Sequence, residues 1–183
     1  MAQPGCKWKK ISGNVVHRNP WFKVWRDRVR KPDGAEGLYH HIETRGPSVF
    51  IVALSGPREV VLVRQHRYPT DLISLEIPGG SSDSRTLLES AKRELLEEAG
   101  FAARKWRRAG WFQVANGICK ERTHVFIARG LKASPGARQR EEGISRVIRA
   151  SFAEVLKGIA SGAISDGQSI AALFKAGLKM KWF

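Results

Sequence analysis

The chain has 183 residues, 42% hydrophobic and 27% charged, and its 32 Lys and Arg against 17 Asp and Glu give a net charge of +15. That length fits one domain with a small appendage, and the composition excludes a disordered chain. No apolar run nears the roughly 20 residues needed to span a membrane, Met1–Lys10 has no apolar signal segment, and Cys6 and Cys119 are too few for a disulfide framework. The expectation is therefore no membrane partner and a reducing, cytoplasmic setting. The basic excess favours anionic partners: phosphate-rich small molecules first, with nucleic acid as the minority reading. Bases cluster only at Lys7-Trp8-Lys9-Lys10, residues 26–31, residues 104–108 and the last residues, and none of these is a nucleic-acid motif.

In chain order, residues 1–19 are an irregular or strand-like lead-in, and Asn19-Pro20 opens a hairpin. Residues 21–29 alternate and are aromatic, Lys31-Pro32-Asp33-Gly34 is a turn, and residues 36–43 return as a second strand. Buried strands follow at 49–54 and 60–65, separated by Ser55-Gly56-Pro57. Residues 72–77 form another strand, ending in Pro78-Gly79-Gly80, where glycine lets backbone approach a ligand. Beyond the next helix come a strand at 105–114 with Trp106 and Trp111, a loop at 115–121 and a strand at 124–128. Gln139-Arg140-Glu141-Glu142-Gly143 is a loop, residues 144–149 a strand, and residues 152–161 and 165–179 helices. Ser165-Asp166 caps the last helix, and Ile170, Leu173, Phe174 and Leu178 are its apolar stripe.

The chemistry concentrates in Arg93-Glu94-Leu95-Leu96-Glu97-Glu98-Ala99-Gly100-Phe101. Leu87, Leu88, Ala91, Leu95 and Leu96 recur at helical spacing, and Gly100 sits where a left-handed cap belongs. Glu94, Glu97 and Glu98 fall on one face at i, i+3 and i+4. The Glu94–Glu98 pair costs roughly 0.2–0.5 kcal/mol, and acids at the negative end of a helix cost about 0.3–1 kcal/mol more. Ordinary surface acids have no reason to collect there in a basic chain. A hard divalent cation explains them better, since its ligands are oxygens.

These residues resemble the Nudix box: a glycine, a glutamate further on, then R-E-U-x-E-E-x-G-U with U aliphatic or aromatic. Counting back from Arg93 puts the glycine at Gly79 and the first glutamate at Arg85; aligning the glycine turn instead leaves the loop Ser81–Ser84 one residue short, again without that glutamate. In the family this glutamate holds the loop, often through the box arginine, so restoring it (Arg85→Glu) is expected to raise activity or metal affinity. Arg64-Gln65-His66-Arg67 is similar to the "RQYR" signature of nucleoside-diphosphate-sugar hydrolases. The hairpin before the core resembles the N-terminal sheet of the ADP-ribose pyrophosphatase branch, and the resemblance runs from about Trp21 to the last helix.

The resemblance implies an α/β fold, a Nudix α/β/α sandwich with a mixed sheet in residues 47–183, preceded by a small N-terminal antiparallel hairpin or sheet in residues 1–46 that serves a homodimer. It implies Mg²⁺, with Mn²⁺ as the alternative, on Glu94, Glu97, Glu98 and the Gly79 carbonyl. Glu98 and Glu142 are the catalytic candidates, with Glu142 as general base or extra ligand and Glu141 as second choice. Trp21 and Tyr39, at the matching positions of the two hairpin strands, sandwich a base or simply pack the sheet. Arg67 holds a phosphate or forms a structural ion pair; Glu76 joins the site or is a buried structural acid; Glu121 meets substrate or is a surface acid. Arg93 and Gly100 are structural in the motif. The implied reaction is hydrolysis of a nucleoside diphosphate sugar, ADP-ribose above all. The alternatives are a Nudix hydrolase acting on other nucleotides or RNA caps, a Nudix-fold sensor impaired by the change at Arg85, and a nucleic-acid-binding protein without a hydrolase site.

Overall fold

The computed structural model describes residues 6–83 and 85–183. The first residues of the lead-in and Ser84 of the glycine loop lie outside them. The elements are β1 (Lys9–Arg18), β2 (Phe22–Arg30), β3 (Glu36–Thr44), β4 (Ser48–Gly56), β5 (Glu59–Arg67), β6 (Leu72–Glu76), β7 (Gly79–Ser81), α1 (Leu87–Ala99), β8 (Phe101–Gln113), β9 (Cys119–Lys120), β10 (Arg122–Ala133), β11 (Ile144–Ser151), α2 (Phe152–Ser161) and α3 (Gly167–Met180). They form two compact units: residues up to Gly46 together with Gln113–Arg122, and Pro47–Phe112 together with Thr123–Phe183.

The first unit is a four-stranded sheet in the order β1-β2-β3-β9. The expected hairpin is its centre, with β2 and β3 antiparallel from Phe22 opposite Thr44 to Arg30 opposite Glu36. The lead-in adds β1 on one side, and the loop of the sequence reading adds the short β9, parallel to β3, on the other. Gly13 belongs in β1 because a Cβ there would lie 1.9 Å from Oδ1 of the buried Asp27. Asp27 in turn pairs with Lys10 at 2.7 Å.

The second unit is built on a seven-stranded sheet, β11-β5-β4-β10-β8, with β6 paired to β5 and β7 to β4. Runs such as Val49-Phe50-Ile51-Val52-Ala53-Leu54 are buried on both faces, which is why they read as continuous apolar stretches. The period of two sends Val49, Ile51, Ala53, Val61 and Val63 against Ala91, Leu95 and Ala99 of α1. Phe50, Val52, Leu54, Val60 and Leu62 meet Phe152, Val155, Leu173 and Ala176 of α2 and α3 on the other face. The sheet is mixed, since β10 runs parallel to β4 while β5 and β7 are antiparallel to it. This is the α/β/α arrangement expected. It fixes α1 over one face and leaves the Gly79-Gly80 turn at the helix's acidic side. Among the described residues no helix is long and apolar enough to cross a membrane.

Candidate active site

Helix α1 starts on a capping box, with Thr86 accepting from the Glu89 N–H and the Glu89 carboxylate accepting from the Thr86 N–H. It ends at Gly100 in the left-handed conformation (φ 72°), whose N–H donates to the carbonyls of Leu95 and Leu96. Glu89 thus caps the helix, whereas the acids of the last turns stand at its negative end with no base in the last turn. Glu94 and Glu98 are buried, each 6% exposed.

Each acid has a different neighbour. Glu98 accepts the Gly79 N–H at 2.9 Å. Glu94 lies so close under Gly80 that a Cβ on that residue would come within 2.7 Å of its carboxylate, so only glycine lets the turn pass over it. Arg93 reaches Glu94 Oε1 at 2.7 Å and Glu97 Oε2 at 2.6 Å. Burial raises the Glu94 carboxyl to about 7 against the pull of Arg93, and the Glu98 carboxyl to about 8 against the Gly79 N–H. The charge of Glu142 pushes both further up, which places that side chain within electrostatic reach of the pair. Its loop is folded onto the end of α1: the Arg138 N–H donates to the Glu97 carbonyl at 2.9 Å and the Ser134 N–H to the Gly100 carbonyl at 3.0 Å. The Arg138 guanidinium lies 3.7 Å from Glu97.

Among the described residues no set of three or more acidic, histidine or cysteine side chains forms a finished cation cage, because Arg93 occupies Glu94 and Glu97. The donor set nevertheless fits a hard cation. It consists of carboxylate oxygens, two of them on buried groups whose ionisation is disfavoured until more positive charge arrives.

Sequence reasoning missed Asp83. Its Oδ1 accepts from Arg93 Nη2 at 2.8 Å, and the same nitrogen donates to the Ser81 carbonyl at 3.1 Å. The arginine therefore ties the glycine loop to the acidic face without any help from residue 85, and Arg85 is exposed. The signal was present as a carboxylate in the loop, but counting along the box pattern pointed two residues further on. Arg138 was missed as well; it had only its place beside an expected acidic loop to mark it.

Of the remaining expected residues, Arg67 makes a bidentate ion pair with Glu76, its Nε donating to Oε1 at 2.8 Å and its Nη2 to Oε2. Glu76 is 3% exposed and also accepts from Gln65. Glu76 is thus a buried, paired acid, while the Arg67 side chain remains 45% exposed. Trp21 lies just before β2 and is 72% exposed, its carbonyl accepting from the Arg45 N–H. Tyr39 stands opposite Asp27, past the middle of the ladder, about 20 Å along the strands from Trp21. The two rings of one chain are therefore not brought together over one ligand. Tyr39 instead donates to the Gly117 carbonyl at 2.6 Å and lines a cleft of about 330 Å³ within the first unit, together with His41, Asn116, Ile118, Cys119 and Lys120. Glu121 is half-buried beside it, its carbonyl accepting from the Val114 N–H. Cys6 and Cys119 are both free thiols.

Comparison with known proteins agrees with this arrangement. Residues 8–42 match the model of the nucleoside diphosphate sugar hydrolase N-terminal domain, and residues 44–172 match the NUDIX domain. The chain is 25% identical to the ADP-ribose pyrophosphatase of Bacillus subtilis (strain 168) over 167 residues, 90% of each chain. It is 27% identical over 176 residues to the GDP-mannose pyrophosphatase of Pectobacterium atrosepticum, covering 89% of this chain and 90% of that one. A crystal structure of an ADP compounds hydrolase superposes with a TM-score of 0.83 at 21% identity, covering 96% of this chain and 95% of that one, a likeness of fold. With the acids of α1 closed beneath a glycine turn and the domain match spanning most of the chain, this protein belongs to the Nudix family of hydrolases, in its nucleoside diphosphate sugar branch.

Proposed function

We propose that the chain is a Mg²⁺-dependent hydrolase of nucleoside diphosphate sugars, with ADP-ribose the leading substrate and AMP and ribose 5-phosphate the products. The observation that carries this reading is the burial of Glu94 and Glu98 beneath Gly79-Gly80, with Glu97 beside them, at the negative end of a helix. Glu94, Glu97 and Glu98, with the Gly79 carbonyl, are the ligands we assign to the cation; Mn²⁺ suits the same oxygens. When bound, Mg²⁺ neutralises the diphosphate and polarises its phosphorus–oxygen bonds. The residues of the chain do the rest. Glu142, exposed on its loop yet within reach of the pair, accepts a proton from the attacking water as its oxygen bonds to phosphorus. The bond to the bridging oxygen breaks, and the leaving phosphate departs with that oxygen. Glu98, its carboxylate oriented by the Gly79 N–H, holds the geometry of that displacement. Arg93 keeps Glu94 and Glu97 aligned through its links to Asp83 and Ser81.

The first unit is assigned to the base and to a second copy of the chain. Tyr39 and His41 give its cleft an aromatic wall, while Glu121 stands near. Ile11, Val16, Trp21 and Leu38 leave its sheet with exposed apolar side chains, as suits the core of a homodimer interface. We place the enzyme in the cytoplasm on the strength of its free thiols. The decisive experiment incubates ADP-ribose, ADP-glucose, GDP-mannose, NADH, diadenosine polyphosphate and capped RNA with the protein and Mg²⁺ and measures released mononucleotide. The expected outcome is AMP from ADP-ribose at the highest kcat/KM. Turnover of capped RNA alone, or of nothing, overturns the reading.

A further inference from the structure

Strand β8 ends the seven-stranded sheet, pairing among the described residues with β10 alone, and spans thirteen residues, about 40 Å. It carries Arg104, Lys105, Arg107 and Arg108, all exposed, and no acid occurs between Phe101 and Lys120. None of the four enters an ion pair among the described residues; Arg108 instead lies over the Phe126 ring at 5.8 Å. Exposed Arg129 and Lys132 extend the same charge onto β10, where Arg104 packs against Gly130. Beside the strand opens a cleft of about 370 Å³ with an apolar floor of Leu87, Leu88, Trp106 and Phe126 and a rim of Arg107 and Arg108. It sits at the start of α1, whereas Glu98 lies about 16 Å further along that helix.

We propose that this edge binds single-stranded nucleic acid, with phosphates along the four bases and one unstacked base seated in the cleft. Charge complementarity chooses the class of partner: β8 itself carries cations and no acid, and the carboxylate nearest the cleft, Glu89, is held by Thr86 of its lining. The cleft chooses among polyanions. An apolar pocket large enough for a base, rimmed by guanidinium groups, suits a chain that offers both a π-face and phosphates. A duplex keeps its bases stacked and leaves the cleft empty. A second copy of this chain is a poor occupant, because a twofold contact through β8 sets the four cations against their own counterparts. This binding is independent of the hydrolase reading, as it uses none of that site's residues.

The test uses the full chain and a fluorescein-labelled fifteen-nucleotide RNA and its DNA counterpart, with anisotropy read from 50 to 200 mM KCl. Four phosphate contacts on a single strand predict a slope of log K against log salt of about −3. Replacing Arg104, Lys105, Arg107 and Arg108 together by Ser should flatten the slope by about that amount and weaken binding at 100 mM KCl at least about tenfold. The rate of ADP-ribose hydrolysis or, failing turnover, the thermal melt should stay at the wild-type value. If the fourfold variant does not fold, the Arg107→Ser/Arg108→Ser pair should show half the change in slope. Preference for RNA over DNA, or equal binding of both, supports the proposal and identifies the source. A salt-insensitive interaction overturns it, and so does a fourfold variant that binds like wild type. Polyphosphate of equal charge, duplex DNA or anionic phosphatidylserine vesicles binding as tightly as the single strand overturns it too.

Discussion

The end of α1 and the edge at β8 both concentrate one sign of charge, but they treat it in opposite ways. At α1 Glu94 and Glu98 are buried and Glu97 is partly so, each has a chosen donor, and Arg93 is fastened to two glutamates, Asp83 and a backbone carbonyl. At β8 the bases are exposed and have no carboxylate partners among the described residues. The first arrangement gives up solvation to fix geometry, as a reacting centre requires. The second keeps its charges hydrated and mobile, which suits electrostatic capture more than alignment. The neighbours of a charge, more than the charge itself, separate a site that positions from one that attracts.

Substitutions at the acidic end test the first half of that contrast most severely. Glu98→Gln, which removes a carboxylate assigned to the cation, should abolish Mg²⁺-dependent hydrolysis of ADP-ribose while the circular dichroism spectrum stays native. A near wild-type rate would remove the role given to it. Asp83→Asn should cost about 10–100-fold in activity or metal affinity, the usual effect of losing a residue that orients ligands. Its pair with Arg93 is half exposed, worth about 0–1 kcal/mol, so the melting temperature should hardly move. A large loss of stability with unchanged kinetics would make Asp83 merely structural.

Titration sharpens the comparison further. Glu94 and Glu98 remain protonated in the folded, metal-free chain up to about 7 and about 8, well above the ordinary 4.5 of the unfolded chain. The folded state therefore binds more protons across that window, and its stability should fall as the pH rises from about 4.5 to about 8. Mg²⁺ needs the ionised carboxylates, so its stabilising effect in a thermal melt should be larger at pH 8 than at pH 5.5. Equal Mg²⁺ shifts at both pH values would remove the two buried acids from the metal site. The smallest effect is expected at Arg85→Glu. The pattern of the box suggests a gain in activity there, but Asp83 already holds Arg93, so kcat/KM should change less than about twofold, a surface residue being replaced away from any partner.

Much of the fold could be read from the residues because its signals are local. Apolar spacing located α1, Gly100 marked its end, and the continuous Val/Ile runs of β4 and β5 announced a sheet covered on both faces. The acids of α1 were legible for the same reason: a helix makes misplaced charge visible at i, i+3 and i+4. What escaped was set by loops and by pairing across long sequence distances. β9 joins β3 only because the 113–122 segment folds back to it, and nothing in Cys119-Lys120 by itself says strand. Arg67 had two readings until β6 brought Glu76 beside it. Trp21 and Tyr39 looked equivalent along their strands, yet register sets them far apart.

The sequence alone determined the main strands and helices, the run of acids on one face of α1 and the strong positive charge, because each of these follows from periodicity, spacing or composition. Only the tertiary structure decided which carboxylate anchors Arg93, that Arg67 pairs with Glu76, and that the cations of β8 line an edge beside an apolar cleft. The physical reason is that a side chain's partner depends on distances fixed by sheet register and loop path. Those distances are properties of the packed chain as a whole, which no single stretch encodes.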